Sequence, residues 1–170
     1  GGDRTVLIDN VSGVVSTAPL PSPAPVTNGS FEDPNVPTGS FQYGGVTGWS
    51  GGGVADHGGF YGTYTPDGVP DVQQVAFIQG SGNMTQTINF PAAGNYAVKF
   101  YATQRAGYPA NDFSVQIDGN VINTYTPGTY APTFTLYKTN TFSVTAGAHV
   151  LTFQGINSGG GDRSEEHTSE

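Results

Sequence analysis

The sequence predicts an all-β fold, a two-sheet antiparallel β-sandwich, and three observations carry the prediction. Seven short β-rich runs follow one another from Val72 to Asn157, each bounded by Gly, Pro or Asn. None of them keeps a helical period over about ten residues, the length at which an amphipathic helix declares itself. Charged residues are only 11% of the chain, Gly is 26 and Pro 12 of 170 residues, and Thr, Ser, Asn and Gln carry the polarity. Short strands at regular turn spacing suit a sandwich rather than an alternating α/β fold.

Taken in order, Thr5 to Val11, "TVLIDNV", reads as a strand. Ser16 to Thr27, "STAPLPSPAPVT", holds four prolines in twelve residues and is read as an extended linker, because proline cannot continue a sheet ladder. "NGSFEDP" then opens the domain with a short strand around Asn28 to Glu32, which Pro34 and Pro37 end. Phe41 to Pro70 is rich in glycine with isolated aromatics and is expected to form long loops around one or two short strands. The regular runs follow: "VQQVAFIQ", "NMTQTINF", "GNYAVKFYATQR", "NDFSVQID", "VINTYT", "TFTLYKTNTFSVT" and "AHVLTFQGIN". Asp118-Gly119-Asn120 between two of them is a tight-hairpin signal, since glycine accepts the positive φ that such turns require. In the longest run alternation sets Tyr96, Val98 and Phe100 on the core side and Lys99, Tyr101, Thr103 and Arg105 on the other.

The tetrapeptide Gly-Gly-Asp-Arg occurs at Gly1 to Arg4 and again at Gly160 to Arg163, an offset of 159 residues that suits one repeat of a tandem array. Residues 1–15 are accordingly read as the final strand of a preceding repeat, 16–26 as linker and 27–162 as the module. Thr5 to Val11 is expected to complete this same domain by permutation, antiparallel to Asn28 to Glu32, with Asp9 beside Glu32 and Leu7 or Ile8 buried. Residues 163–170, "RSEEHTSE", resemble the translation of a sequencing-adapter read, the mark of a fragment from bulk sequencing, and are set aside.

The net charge is −8, or −6 without that tail, and the four remaining bases are dispersed at Arg4, Lys99, Arg105 and Lys138. A surface that tracks phosphates needs clustered Lys and Arg, so nucleic acid is not an expected partner. Cysteine is absent, which rules out disulfides and thiolate chemistry. No apolar run approaches the about 20 residues of a spanning helix, and no membrane insertion is expected. The composition reads as an extracellular or cell-surface protein that meets neutral ligands.

Together "NGSFEDP", the glycine-rich loop with "GW", "MTQTINFPAAGNYAVKFYATQR", "FSVQIDG", "AGAHVLTFQG" and "GGDRTVLIDNV" resemble the galactose-binding-like jelly-roll modules of bacterial secreted proteins. They are most similar to carbohydrate-binding modules of the family four and family nine kind. The resemblance covers Asn28 to Asp162 together with Gly1 to Val11. It implies a jelly-roll sandwich without catalysis of its own, a glycan on the concave sheet or its rim loops, and a structural calcium. The matching calcium positions here are Glu32 and Asp9, and hard Ca²⁺ wants oxygen ligands of that kind.

Sugar recognition needs aromatic faces for the apolar side of a pyranose ring and planar polar groups for its hydroxyls. Tyr101, Gln104, Arg105 and Tyr108 place such groups at one strand end and the loop after it, with Asn111 and Asp112 as further acceptors. Tyr61 and Tyr64, set among glycines, are further ligand candidates, whereas Trp49 after a glycine is expected to be buried. The bland alternatives are that Tyr101 only covers the sheet, that Arg105 pairs with an acid such as Asp112, and that Glu32 and Asp9 are ordinary carboxylates. No "HExxH" or "GxSxG" is present, and His57 and His149 fall in different contexts, so no enzyme is expected. The expected function is a non-catalytic module that binds an oligo- or polysaccharide within a longer chain, and the alternative is a structural spacer repeat of a surface protein.

Overall fold

The computed structural model describes residues 4–15, 23–56, 73–128 and 133–158, with the backbone alone at 13–15. The protein is all-β, with two antiparallel sheets packed as a sandwich. The larger sheet has seven strands. Six of them run in the order β10 (Thr135–Lys138), β7 (Gly94–Gln104), β1 (Thr5–Val15), β5 (Gln74–Gln79), β4 (Gly53–Asp56), β2 (Phe41–Tyr43), and β11 (Phe142–Val144) also pairs with β7. The smaller sheet has five, ordered β3 (Ser50–Gly51), β6 (Asn83–Phe90), β12 (Gly147–Gly155), β8 (Phe113–Ile117), β9 (Asn120–Tyr125).

Period-two patterning explains which side chains meet between the sheets. Tyr96, Val98, Phe100 and Ala102 of β7 face Phe113 and Val115 of β8 and Leu151 and Phe153 of β12 within one buried cluster. Phe100 lies 5.8 Å from Phe113 and 5.2 Å from Phe153, both edge to face, the arrangement that aromatic quadrupoles favour. Each such ring contributes roughly 1.5–3 kcal/mol by leaving water. Trp49 belongs to the same cluster, against Phe31 at 5.4 Å and Phe153 at 6.1 Å, and its indole N–H donates to the Thr27 and Asn28 carbonyls.

The first strand lies in the interior of the larger sheet. Thr5 to Ile8 pair with Gln79 to Ala76 of β5 on one edge, and Val6 to Asp9 pair with Gln104 to Tyr101 of β7 on the other. A bulge between Asp9 and Ser12, with Asn10 at φ 46°, shifts the second register, and pairing resumes from Ser12↔Lys99 to Val15↔Tyr96. Val6, Ile8 and Val11 enter the core, and Leu7 is buried on the opposite face.

This corrects the expected pairing of Thr5 to Val11 with Asn28 to Glu32: β1 is paired with β5 and β7, and Val11 N–H donates to the Gly29 carbonyl at 2.9 Å. Residues 27–36 form no strand. Asn28 and Phe31 sit at positive φ, 47° and 59°, which no extended strand tolerates. The stretch is instead fixed from β5: the fully buried Gln74 donates to the Phe31 and Pro34 carbonyls at 2.9 and 3.0 Å and accepts from Val36 N–H at 2.6 Å. The run "TFTLYKTNTFSVT" likewise divides into β10 and β11, because Thr139 turns its hydroxyl onto Val98 N–H at 3.0 Å and interrupts the ladder.

Candidate functional site

The outer face of the larger sheet is unusual for a face turned away from the sandwich interior. Thr103, Leu7, Phe77, Gly53 and Tyr43 lie in register across β7, β1, β5, β4 and β2. Leu7, Ala55, Val75 and Phe77 form a second buried apolar cluster there, with Phe134 packed against it. Gly53 is required in this row, since a Cβ would stand 2.3 Å from the Phe77 ring. The middle of the face is therefore not open ground, and its accessible parts are its two margins.

One margin is β2, where Phe41 is 42% and Tyr43 55% exposed. Both rings meet Phe77 edge to face, and the Tyr43 hydroxyl donates to Gln79 Oε1 at 2.9 Å. The other margin begins with Tyr101 and the exposed Leu136 beside it on β10, and continues into the loop after β7. There the Arg105 guanidinium carbon lies 3.8 Å from the centre of the Tyr108 ring, and Tyr108 is 37% exposed. Stacking of this kind fixes both groups against one another.

Of the expected ligand residues, Arg105 and Tyr108 are thus brought together, with Tyr101 four residues back along β7, about 13 Å at 3.3 Å per residue. Gln104 points the other way: it is buried, takes the Asn111 N–H on Oε1 at 3.0 Å, and reaches toward the Asn111 and Pro127 carbonyls at 3.5 and 3.4 Å. Asn111 is buried as well, donating to the Ile78 carbonyl at 3.2 Å, while Asp112 accepts from the Thr126 hydroxyl at 2.7 Å. These three residues hold the loop rather than present groups to solvent. Arg4 completes the loop's attachment, donating to the Ala110 carbonyl at 2.8 Å. Tyr61, Tyr64 and His57 lie outside the described residues. Phe41 was not singled out by sequence as a ligand residue, although two aromatics at i and i+2 on a short edge strand are a readable signal.

The acids expected to hold calcium are engaged by backbone. Glu32 Oε1 accepts from Gln73 and Gln74 N–H at 2.9 and 2.8 Å, capping the start of β5. Asp9 is fully buried on β1 and accepts from Asn10 N–H at 2.7 Å. Calcium takes about six to eight oxygens. Among the described residues no group of three or more acidic, imidazole or thiol side chains converges.

His149 is the one histidine among the described residues, and its setting is that of a clamp. Its Nδ1 stands 2.6 Å from Asp118 Oδ2, and its Nε2 faces the Thr145 carbonyl at 3.1 Å and the Thr145 hydroxyl at 3.2 Å. The carboxylate can only accept, so Nδ1 donates, and the Thr145 hydroxyl can donate to Nε2, so the ring ties two turns together. The same contacts, with Val150 N–H on Oδ1 at 2.8 Å, hold the Asp118 carboxyl below its ordinary pKa, the His149 hydrogen bond being the largest cause. No protein-family model and no curated protein matches the chain.

Proposed function

We propose that this protein is a non-catalytic, extracellular carbohydrate-binding domain of the jelly-roll kind that takes a neutral oligo- or polysaccharide at the Tyr101–Arg105–Tyr108 margin. The observation that carries the reading is the Arg105–Tyr108 stack at 3.8 Å with Tyr108 still accessible. A guanidinium brings five N–H donors in a fixed fork, and the neighbouring ring offers an apolar surface. That pair matches a pyranose, which has hydroxyls at its rim and C–H bonds on its face. The low count of bases and the acidic balance of the chain fit an uncharged ligand better than an anionic one.

Affinity electrophoresis in gels containing plant or microbial polysaccharides tests this. Wild-type protein is expected to be retarded by at least one of them, and Tyr108→Ala or Arg105→Ala to lose about tenfold in affinity, the effect of about 1.4 kcal/mol. Retardation that survives both substitutions places binding elsewhere. The second reading, a structural spacer of a surface protein, is favoured by the inward commitment of Gln104 and Asn111 to their own loop. It expects no retardation by any glycan.

A further inference from the structure

At the opposite end of β7, about 33 Å away at 3.3 Å per residue, the two sheets part. The gap opens between the β8–β9 turn of the smaller sheet and β11 of the larger. A cleft of about 280 Å³ lies there. Phe142, Ile122 and Val144 supply apolar lining, and Asp118, Asn120, Ser143, Thr145 and His149 supply its polar groups. Its walls come from both sheets, β11 from the larger and β8, β9 and β12 from the smaller; the Asp118–His149 bond joins the β8–β9 turn to β12 within the smaller sheet, and Thr145 meets His149 across the connection from β11 to β12.

Three features say what such a cleft takes. Its volume lies near the lower bound for ligand sites, about 300 Å³, which limits the occupant to one ring. Asp118 already accepts from His149 Nδ1 on one oxygen and from Val150 N–H on the other, and each carboxylate oxygen keeps a lone pair for a ligand hydroxyl. The polar groups are already oriented: Asp118 and Thr145 by His149, and Asn120 beside them with its amide nitrogen only 3.4 Å from the Asp118 carbonyl, a weak bond that a ligand hydroxyl replaces.

The geometry points to a second binding site in this cleft, for one neutral polyhydroxylated ring, its C–H face on Phe142 and Ile122 and its hydroxyls on Asp118, Asn120 and Thr145. The site is separate from the Arg105–Tyr108 margin and stands whether or not that margin binds glycan. A free monosaccharide and the terminal unit of a chain offer the same chemistry.

The test follows backbone amide shifts of labelled full-length protein titrated with glucose, galactose, mannose, N-acetylglucosamine or myo-inositol. Concentrations run to about 100 mM, well above the millimolar affinity expected of one ring. The expected result is a saturable shift of Asn120, Ser143, Thr145 and His149 with at least one of these, weakened about tenfold by Asn120→Ala. Asn120 is exposed and its change leaves the clamp intact, so an unaltered melting temperature certifies that variant. Tighter binding of the matching oligosaccharide assigns a chain terminus, and equal binding assigns the free ring. Absence of any saturable shift at these residues, or shifts indifferent to Asn120→Ala, overturns the proposal. Shifts confined to Tyr101–Tyr108 overturn it while sustaining the glycan reading, and shifts confined to the cleft do the reverse.

Discussion

Asp118 shows how one carboxylate sets the acid limit of one end of the sandwich. Its folded pKa is lowered from 3.8 by the His149 hydrogen bond first and the Val150 N–H second. A carboxyl with a depressed folded pKa stabilises the fold above its unfolded value, and that contribution is lost as pH falls through the folded value. The window therefore lies below pH 3.8. Asp118 is 46% exposed, so solvent screens the pair and the effect is modest. The melting temperature of wild type should fall more steeply than that of Asp118→Asn as pH drops below 3.8, and parallel curves would remove this role. Glu32 poses a second residue-scale question. As the cap on Gln73 and Gln74 it should contribute about 1–3 kcal/mol, so Glu32→Ala lowers the midpoint of denaturant unfolding equally with and without chelator. A wild-type midpoint that falls on chelation, with the fall absent in Glu32→Ala, would instead assign Glu32 to a calcium that stabilises the fold by mass action.

At the scale of elements, strands whose alternation is unbroken were legible and those whose geometry depends on partners were not. The Asp118-Gly119 turn reads directly, because both residues stand at positive φ, 51° and 77°, as a two-residue hairpin of this twist demands. Residues 28–32 misled because Phe31 looks like the apolar centre of a strand, yet its ring is delivered to Trp49 from a left-handed backbone that Gln74, more than forty residues on, holds in place. Alternation also sets Gln104 on the core side of β7, opposite to Tyr101, so its inward commitment was readable. The Arg105–Tyr108 stack was legible as a pair because both belong to one short loop. The Phe41–Tyr43–Phe77 margin was not, since it requires β2 to be placed beside β4 and β4 beside β5.

The whole molecule carries features that no single stretch of sequence contains. The cleft beside Phe142 draws on β8, β9, β11 and β12, and its polar wall exists only because His149 of β12 meets the β8–β9 turn. The buried row on the outer face was hidden for a related reason. Alternation marks Leu7, Val75 and Phe77 as facing away from the core, and burial on that side reflects assembly rather than pattern. The place of β1 has a consequence for populations of molecules. It is paired on both edges, by β5 and by β7, and is joined to the domain through a proline-rich stretch. The slot between those two strands recognises a backbone and a short apolar code, Val6, Leu7, Ile8 and Val11, and nothing in that code distinguishes the chain's own strand from an identical one supplied from outside. A chain shortened to begin at residue 16 should lose cooperative melting, and a synthetic Thr5–Val15 peptide should restore it in a concentration-dependent way. Unchanged melting of the shortened chain would deny that β1 completes the fold. At high protein concentration the same slot makes the domain a candidate for trading strands between copies, so that its foldedness becomes a property shared among neighbours.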